Sequence, residues 1–192
     1  MRRERTHGTS AAVGYVPVAS LVVMLEGWFL IAVALLALSG GSKFRDPEPT
    51  RGALRAAGLP SSRQAVLSLA TAEVAVVVAV VVWPSPWAAG AVAVTYAAFA
   101  GFVAVALARR LPIQSCGCFG RADTPPGAVH LLVNLTAAAS AALVAAVGGM
   151  DVLAMLAEQP GAGVPYVGFV AIGSFLLAVI MSELPAVLRA GR

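Results

Sequence analysis

Charge is the scarcest commodity in this chain of 192 residues. Asp, Glu, Lys and Arg make up 11% of it, while hydrophobic residues make up 59%. A typical soluble domain carries about 25% charged residues. So few charges cannot cover the surface of a water-soluble fold, which excludes soluble, disordered and nucleic-acid-binding classes. The formal net charge of +4 does not restore a nucleic-acid partner, because the basic residues sit in short loops and tails. Cysteine is almost as scarce. Cys116 and Cys118 are the only two, so a disulfide-stapled secreted scaffold is excluded as well. The sequence has no zinc-protease motif, phosphate loop, dinucleotide fingerprint or nucleophile elbow, and nothing in it points to hydrolysis or phosphoryl transfer.

What the chain has instead is long apolar runs. A bilayer-spanning helix needs about 20 predominantly apolar residues. Five stretches meet or approach this, at about 18–38, 65–83, 87–108, 127–147 and 164–183. Glu73 is the only charged residue between Gln64 and Ala108, and none lies between Thr124 and Met150. Backbone polar groups cannot remain unpaired in hydrocarbon, so these runs are expected to be helices. Ala, Val and Gly dominate them, and small residues let membrane helices approach closely. The expected fold is therefore all-α, a polytopic membrane helix bundle. Arg2, Arg3 and Arg5 precede the first run, which is too long for a signal peptide and has no small-residue cleavage pattern after it. It reads as a retained span.

The connections divide the chain. Residues 1–17 form a basic tail, 18–149 a four-helix membrane unit, 150–163 an acidic loop with Asp151 and Glu158, and 164–192 a fifth span with a basic end. Trp83-Pro84-Ser85-Pro86-Trp87 reads as a tight turn whose two Trp suit the membrane–water interface. The loop from Ser39 to Arg63 is longer, and within it Pro49 to Leu59 could form a short amphipathic surface helix. Thr124-Pro125-Pro126 is expected to start the fourth span, with Thr as cap and Pro in the first turn.

Consecutive loops alternate sides. The loop after span one, the cysteine loop and the C-terminus share a side, which collects ten of the thirteen Lys and Arg residues. The positive-inside rule would place that side in the cytoplasm. The redox chemistry considered below makes more sense outside, so the orientation stays open.

The strongest local signal is Ser115-Cys116-Gly117-Cys118-Phe119-Gly120. Small buried thiols fit poorly in a polar loop beside Gln114 and Arg121. A disulfide between positions i and i+2 is within reach, with Gly117 relaxing the small ring, and a strained ring exchanges readily. Two thiolates also suit Cu(I) or Zn, although two ligands are too few and only His130 or distant methionines could add to them. His130 and Asn134 are four apart and share a helix face near the cysteines. His130 could move a proton during thiol exchange or simply bond a neighbouring helix, and Asn134 reads as structural. Glu26 and Glu73 lie inside spans, where a carboxylate is costly and a functional candidate. The two could face each other. Alternatively, Glu73 could pair with Lys43 or with an arginine reaching in from the loop. Lys43 follows Ser39-Gly40-Gly41-Ser42, read as a flexible exit from span one, and a cation near the cysteines would favour a thiolate.

Ser39-Gly40-Gly41-Ser42-Lys43-Phe44-Arg45-Asp46-Pro47 after the first span, Glu73 in the second and Cys116-Gly117-Cys118-Phe119-Gly120 before the fourth form a pattern. It resembles the methylamine utilisation protein MauE family, within the wider DoxX-like membrane proteins. The resemblance covers about residues 21–149. It implies a four-helix membrane unit with a redox-associated role, linked to disulfide formation or transport of an exported client such as the methylamine dehydrogenase small subunit. Cys116 and Cys118 would be the redox pair, and Lys43 and Glu73 polar positions of the bundle. Val133 stands where the family often carries an arginine, and the fifth span lies outside the unit. The expected setting is the cell membrane, with the lipid bilayer, a thioredoxin-like protein or the client as partners. Quinone enters as a cofactor by analogy only. Two other functions compete with this one: a non-enzymatic assembly or soft-metal-binding factor, and a cytoplasm-facing redox sensor.

Overall fold

A computed structural model describes residues 18–113, 115, 125–148 and 151–190. Cys116, Cys118 and Thr124 lie outside the described residues. Every regular element among the described residues is a helix: α1 (Val18–Arg45), α2 (Glu48–Ala56), α3 (Arg63–Val82), α4 (Pro86–Ala108), α5 (Ala128–Val147), α6 (Val152–Glu158) and α7 (Pro160–Ala190). Five of them contain segments long and apolar enough to cross a membrane: Met24–Arg45, Arg63–Val82, Pro86–Ala108, Ala128–Val147 and Pro160–Glu183. At about 1.5 Å per residue, 20 residues span about 30 Å, the thickness of a bilayer's hydrocarbon core. The protein is a multi-pass helical membrane bundle.

Serines set the starts of the middle spans. Ser62 accepts a hydrogen bond from Ala65 N (3.1 Å) and Ser85 from Ala88 N (3.2 Å), each occupying one amide that the helix leaves orphaned. Pro86 occupies the first turn of α4, where its missing N–H costs nothing. Trp83 and Trp87 flank this turn, both largely exposed. The expected surface helix is α2. Its Ala53 is buried against Ala106 of α4 and Ile113 beyond it. Arg51 holds the following loop by bonding Ser61 O (2.9 Å) and pairing with Glu48.

The core lies where α1, α4 and α5 meet, filled by Phe29, Leu36, Val92, Tyr96, Ala137 and Val144. The most extensive pairing is α4 with α5, and alanines on both sides permit it. Tyr96 ties α4 to α1 by donating to Ala32 O at 2.6 Å. The most buried span is α1, which packs against α3, α5 and α7.

Three boundaries differ from the sequence expectation. Ser39 to Ser42 is no flexible exit, because α1 continues unbroken to Arg45. The two glycines cost helix propensity, but Gly40 lets the α1 backbone lie against α3. A Cβ there would come within 2.9 Å of Val74 Cγ2 and 3.2 Å of Ala70 O. Secondly, α5 begins at Ala128 with Gly127 as an extended N-cap, so Pro125 and Pro126 precede the helix and do not sit in its first turn. Thirdly, the acidic segment contains α6. Asp151 starts it by accepting from Leu153 N and Ala154 N, both at 3.0 Å. The last span then begins at Pro160.

The tight α1–α3 contact makes Gly40 sensitive. Gly40→Val should lower stability by about 1–3 kcal/mol through overpacking. Gly41→Ala should instead raise stability by about 0.5–1 kcal/mol, because the helix gains propensity and nothing lies within 4 Å of a Cβ there. Thermal unfolding of both variants in the same detergent checks the difference.

Candidate functional site

The extension of α1 beyond its apolar run carries Lys43 to its last turn, and the side chain points back into the bundle. Lys43 is 3% exposed and Glu73, midway along α3, is 1% exposed. The Nζ lies 2.9 Å from each carboxylate oxygen and donates to Oε2. It also donates to Ser39 Oγ (2.5 Å), one turn earlier on α1, and approaches Ser39 O at 3.5 Å. The Phe99 ring of α4 supplies its negative face 5.7 Å from Nζ, and Tyr96 meets Phe99 edge-on with centroids 6.0 Å apart. A buried ammonium is thus matched by a carboxylate, a hydroxyl and an aromatic face. An isolated charge would be prohibitive here, so these groups are an obligatory set.

The pairing resolves the alternatives for Glu73. Lys43 is its partner, and Glu26 does not face it. Glu26 stands fourteen residues before Gly40 on α1, about 21 Å along the axis, whereas Glu73 Cβ lies at the level of Gly40. Glu26 is buried at the other end, near Tyr166 of α7. Lys43 donates to Ser39 and Glu73, so its charge is met inside the bundle by the carboxylate.

His130 and Asn134 share the buried face of α5, as their spacing requires, and are 2% and 4% exposed. Nδ1 of His130 is buried without a hydrogen-bond partner. Asn134 lines a cavity of about 20 Å3 with Ser39, Tyr96, Phe99 and Met181. That volume has room for one water. The site therefore joins α1, α3, α4, α5 and α7. Ser39 and Phe99 are site members that sequence reasoning missed. The i,i+4 step from Ser39 to Lys43 could have found the first. Met181 comes from the fifth span, and no motif links it to the others.

Cys116 and Cys118, the first candidates of the sequence, lie outside the described residues. What leads up to them is fixed to this end of the bundle. Arg110 adopts φ +49°, which turns the chain back after α4, and Leu111 N then bonds Ala106 O at 3.0 Å. Ile113 is buried against α2 and α4. Among the described residues no group of three His, Cys, Asp or Glu could hold a metal.

Residues 19–150 match the family model of methylamine utilisation protein MauE. The chain belongs to the MauE family. No curated protein and no solved structure matches it. The matched stretch contains α1 from its second residue through α5, and with them Lys43, Glu73, His130 and the cysteine loop. It ends before α6 and α7. In this MauE protein Met181 therefore reaches the site from beyond the family match.

Removing one member of the buried pair should be costly. Lys43→Met and Glu73→Leu should each lose about 3–5 kcal/mol, because the remaining charge is stranded. The double variant should recover most of that loss. A double-mutant cycle of unfolding free energies in one detergent measures the coupling.

Proposed function

We propose that this MauE protein takes part in thiol–disulfide maturation, or transport, of an exported client, with Cys116 and Cys118 as the reacting pair. The observation that carries the reading is Cys116-Gly117-Cys118 itself, the only two cysteines of the chain, in the loop that connects α4 to α5. The family's name in methylamine utilisation supports the methylamine dehydrogenase small subunit as the client proposed here.

The exchange balances as follows. A client thiolate attacks one sulfur of the Cys116–Cys118 disulfide and the other cysteine leaves as a thiolate. A second client thiolate then displaces the first cysteine from the mixed disulfide. The client loses two electrons and two protons and the pair gains them. The pair returns to the disulfide by passing the two electrons and two protons to an oxidised (disulfide-form) thioredoxin-like protein or to a membrane electron acceptor. His130, with Nδ1 unpartnered on the first turn of α5, is the group proposed to accept and return the proton. Lys43 and Glu73 serve the site by holding α1 and α3 in register, and Asn134 by packing beside them.

Two measurements test this. In intact cells, a membrane-impermeant maleimide should label Cys116 and Cys118 only after reduction. Labelling only after lysis would place the loop inside and sink the disulfide-donor reading in favour of a cytoplasmic sensor. With Cys116→Ser and Cys118→Ser, alkylation-shift gels should show the client accumulating in reduced form. An unchanged client disulfide would favour the non-enzymatic assembly or transport role.

A further inference from the structure

The end of the bundle that carries Lys43 is strongly basic on its outside. Arg45 closes α1, Arg55 lies in the last turn of α2, Arg63 opens α3, and Arg109 and Arg110 follow α4. All five are exposed, and among the described residues none has a carboxylate partner. Arg51 is held by Glu48, and Asp46 is the other exterior carboxylate of this end. Six arginines against two carboxylates leave the described exterior with a net charge of +4. Arg45 and Arg63 reach the edge of the bundle together, because α1 and α3 run side by side in opposite directions. Gly40 lies against Ala70 and Val74. Counted outward from that level, the two arginine backbones stand within about 6 Å of one height.

An open groove of about 530 Å3 starts at the same height and runs along the outer face of α3, lined by Gln64, Leu67, Ser68, Thr71, Ala72 and Ala75. From Gln64 to Ala75 it covers about 16 Å of a membrane span, so it descends from headgroup depth into hydrocarbon. Its polarity falls in the same direction. Arg63 stands at the mouth. Gln64 and Ser68, both exposed, follow within about 8 Å along the axis. Thr71 returns its hydroxyl to Leu67 O (2.8 Å), and Ala72 and Ala75 are apolar. The matching occupant has an anionic head, hydrogen-bond acceptors below it and a hydrocarbon chain below those. An acidic soluble protein matches the arginines but cannot follow the groove into the bilayer. A second copy of this chain, packed in parallel on this face, would set Arg63 against its own counterpart.

We propose that the outer face of α3 binds one anionic phospholipid of the bilayer. Its phosphate is held by Arg45 and Arg63, its ester carbonyls lie at the level of Gln64 and Ser68, and one acyl chain follows the groove past Ala72 to Ala75. Guanidinium groups suit a phosphate because they can donate two parallel hydrogen bonds to it. The site does not depend on the cysteine chemistry. It holds for either orientation of the chain, because the groove opens to whichever leaflet the basic end faces.

Native mass spectrometry of the full chain, delipidated in detergent and titrated with phosphatidylglycerol or phosphatidylcholine, tests the proposal. The wild type should bind one phosphatidylglycerol with about tenfold preference over phosphatidylcholine. The double variant Arg45→Gln/Arg63→Gln should lose that preference with helicity unchanged. Ala72→Trp, which fills the groove and keeps both arginines, should lower phosphatidylglycerol binding several-fold. Soluble glycerol 1-phosphate, which has the head and no chain, should not compete. If Ala72→Trp fails to fold, the arginine variant and the competitor still decide. Equal binding of the two lipids by the wild type, an unchanged preference in the arginine variant, competition by glycerol 1-phosphate at the lipid's own concentration, or a protein dimer formed on this face in place of the lipid complex would each overturn the proposal.

Discussion

The Lys43–Glu73 pair is the constraint on which the rest of the bundle is arranged. A carboxylate midway along α3 has no water to solvate it, so a cation must come to it. The nearest source is the end of α1, and Lys43 reaches Glu73 only if α1 stays helical through Ser39-Gly40-Gly41-Ser42. Helix continuity there follows from electrostatic need and close packing, against the local propensity of two glycines. Gly40 brings the backbones together, Ser39 and Phe99 complete the shell of the ammonium, and the register of α1 on α3 is set. Such a pair need not add net stability over a well-packed apolar core. What it supplies is a single register, since a slip by one residue on either helix would strand both charges.

From that register follows a molecule with two unlike ends. One end holds the ion pair, His130, Asn134 and a space the size of a water. The other holds an apolar cavity of about 380 Å3. Both ends meet α1, which carries Glu26 near one and Lys43 near the other. The last span, α7, follows α1 between them. Tyr166 lies at Gly27, Gly173 lies against Ile31, Ser174 bonds Val170 O at 2.7 Å and faces Ile31 O, and Met181 reaches the polar cavity. A Cβ at Gly173 would come within 2.9 Å of Ile31 Cδ1, so the small residue is what allows this close approach. The C-terminal helix is therefore packed into both ends of the MauE unit.

Much of this was legible in the sequence, because membrane helices declare themselves by composition. The five apolar runs, the serine before α3, the Trp-Pro-Ser-Pro-Trp turn and the amphipathic stretch of α2 each carry a local physical signal. Glu73 was legible as a problem needing a partner, and Lys43 was among the solutions. The choice between partners was not legible, because it depends on how far α1 runs, and Gly-Gly in sequence reads as a stop. The alternative in which Glu26 faces Glu73 fails on helix geometry. Once α1 is extended, Glu26 lies about 20 Å from the ion pair along the helix axis. Met181 carried no signal, since its place depends on how a separate helix crosses α1.

The neutralised state of Lys43 also changes which charges matter to the thiol loop. A cation shared between a carboxylate, a hydroxyl and an aromatic ring projects little field beyond them. Arg45, Arg55, Arg63, Arg109 and Arg110 are exposed around the same end of the bundle. Arg51 is engaged with Glu48 and Ser61. Arg109 and Arg110 stand only a few residues before Cys116 in the chain. For the exchange proposed above, thiolate stabilisation would therefore come from this arginine surface and not from the buried lysine. The two sources differ in their response to salt. An exposed field decays over about 8–10 Å at physiological ionic strength, whereas a buried cation is hardly screened. Thiol reactivity at this loop should accordingly depend on ionic strength, while the register of the helices beneath it should not.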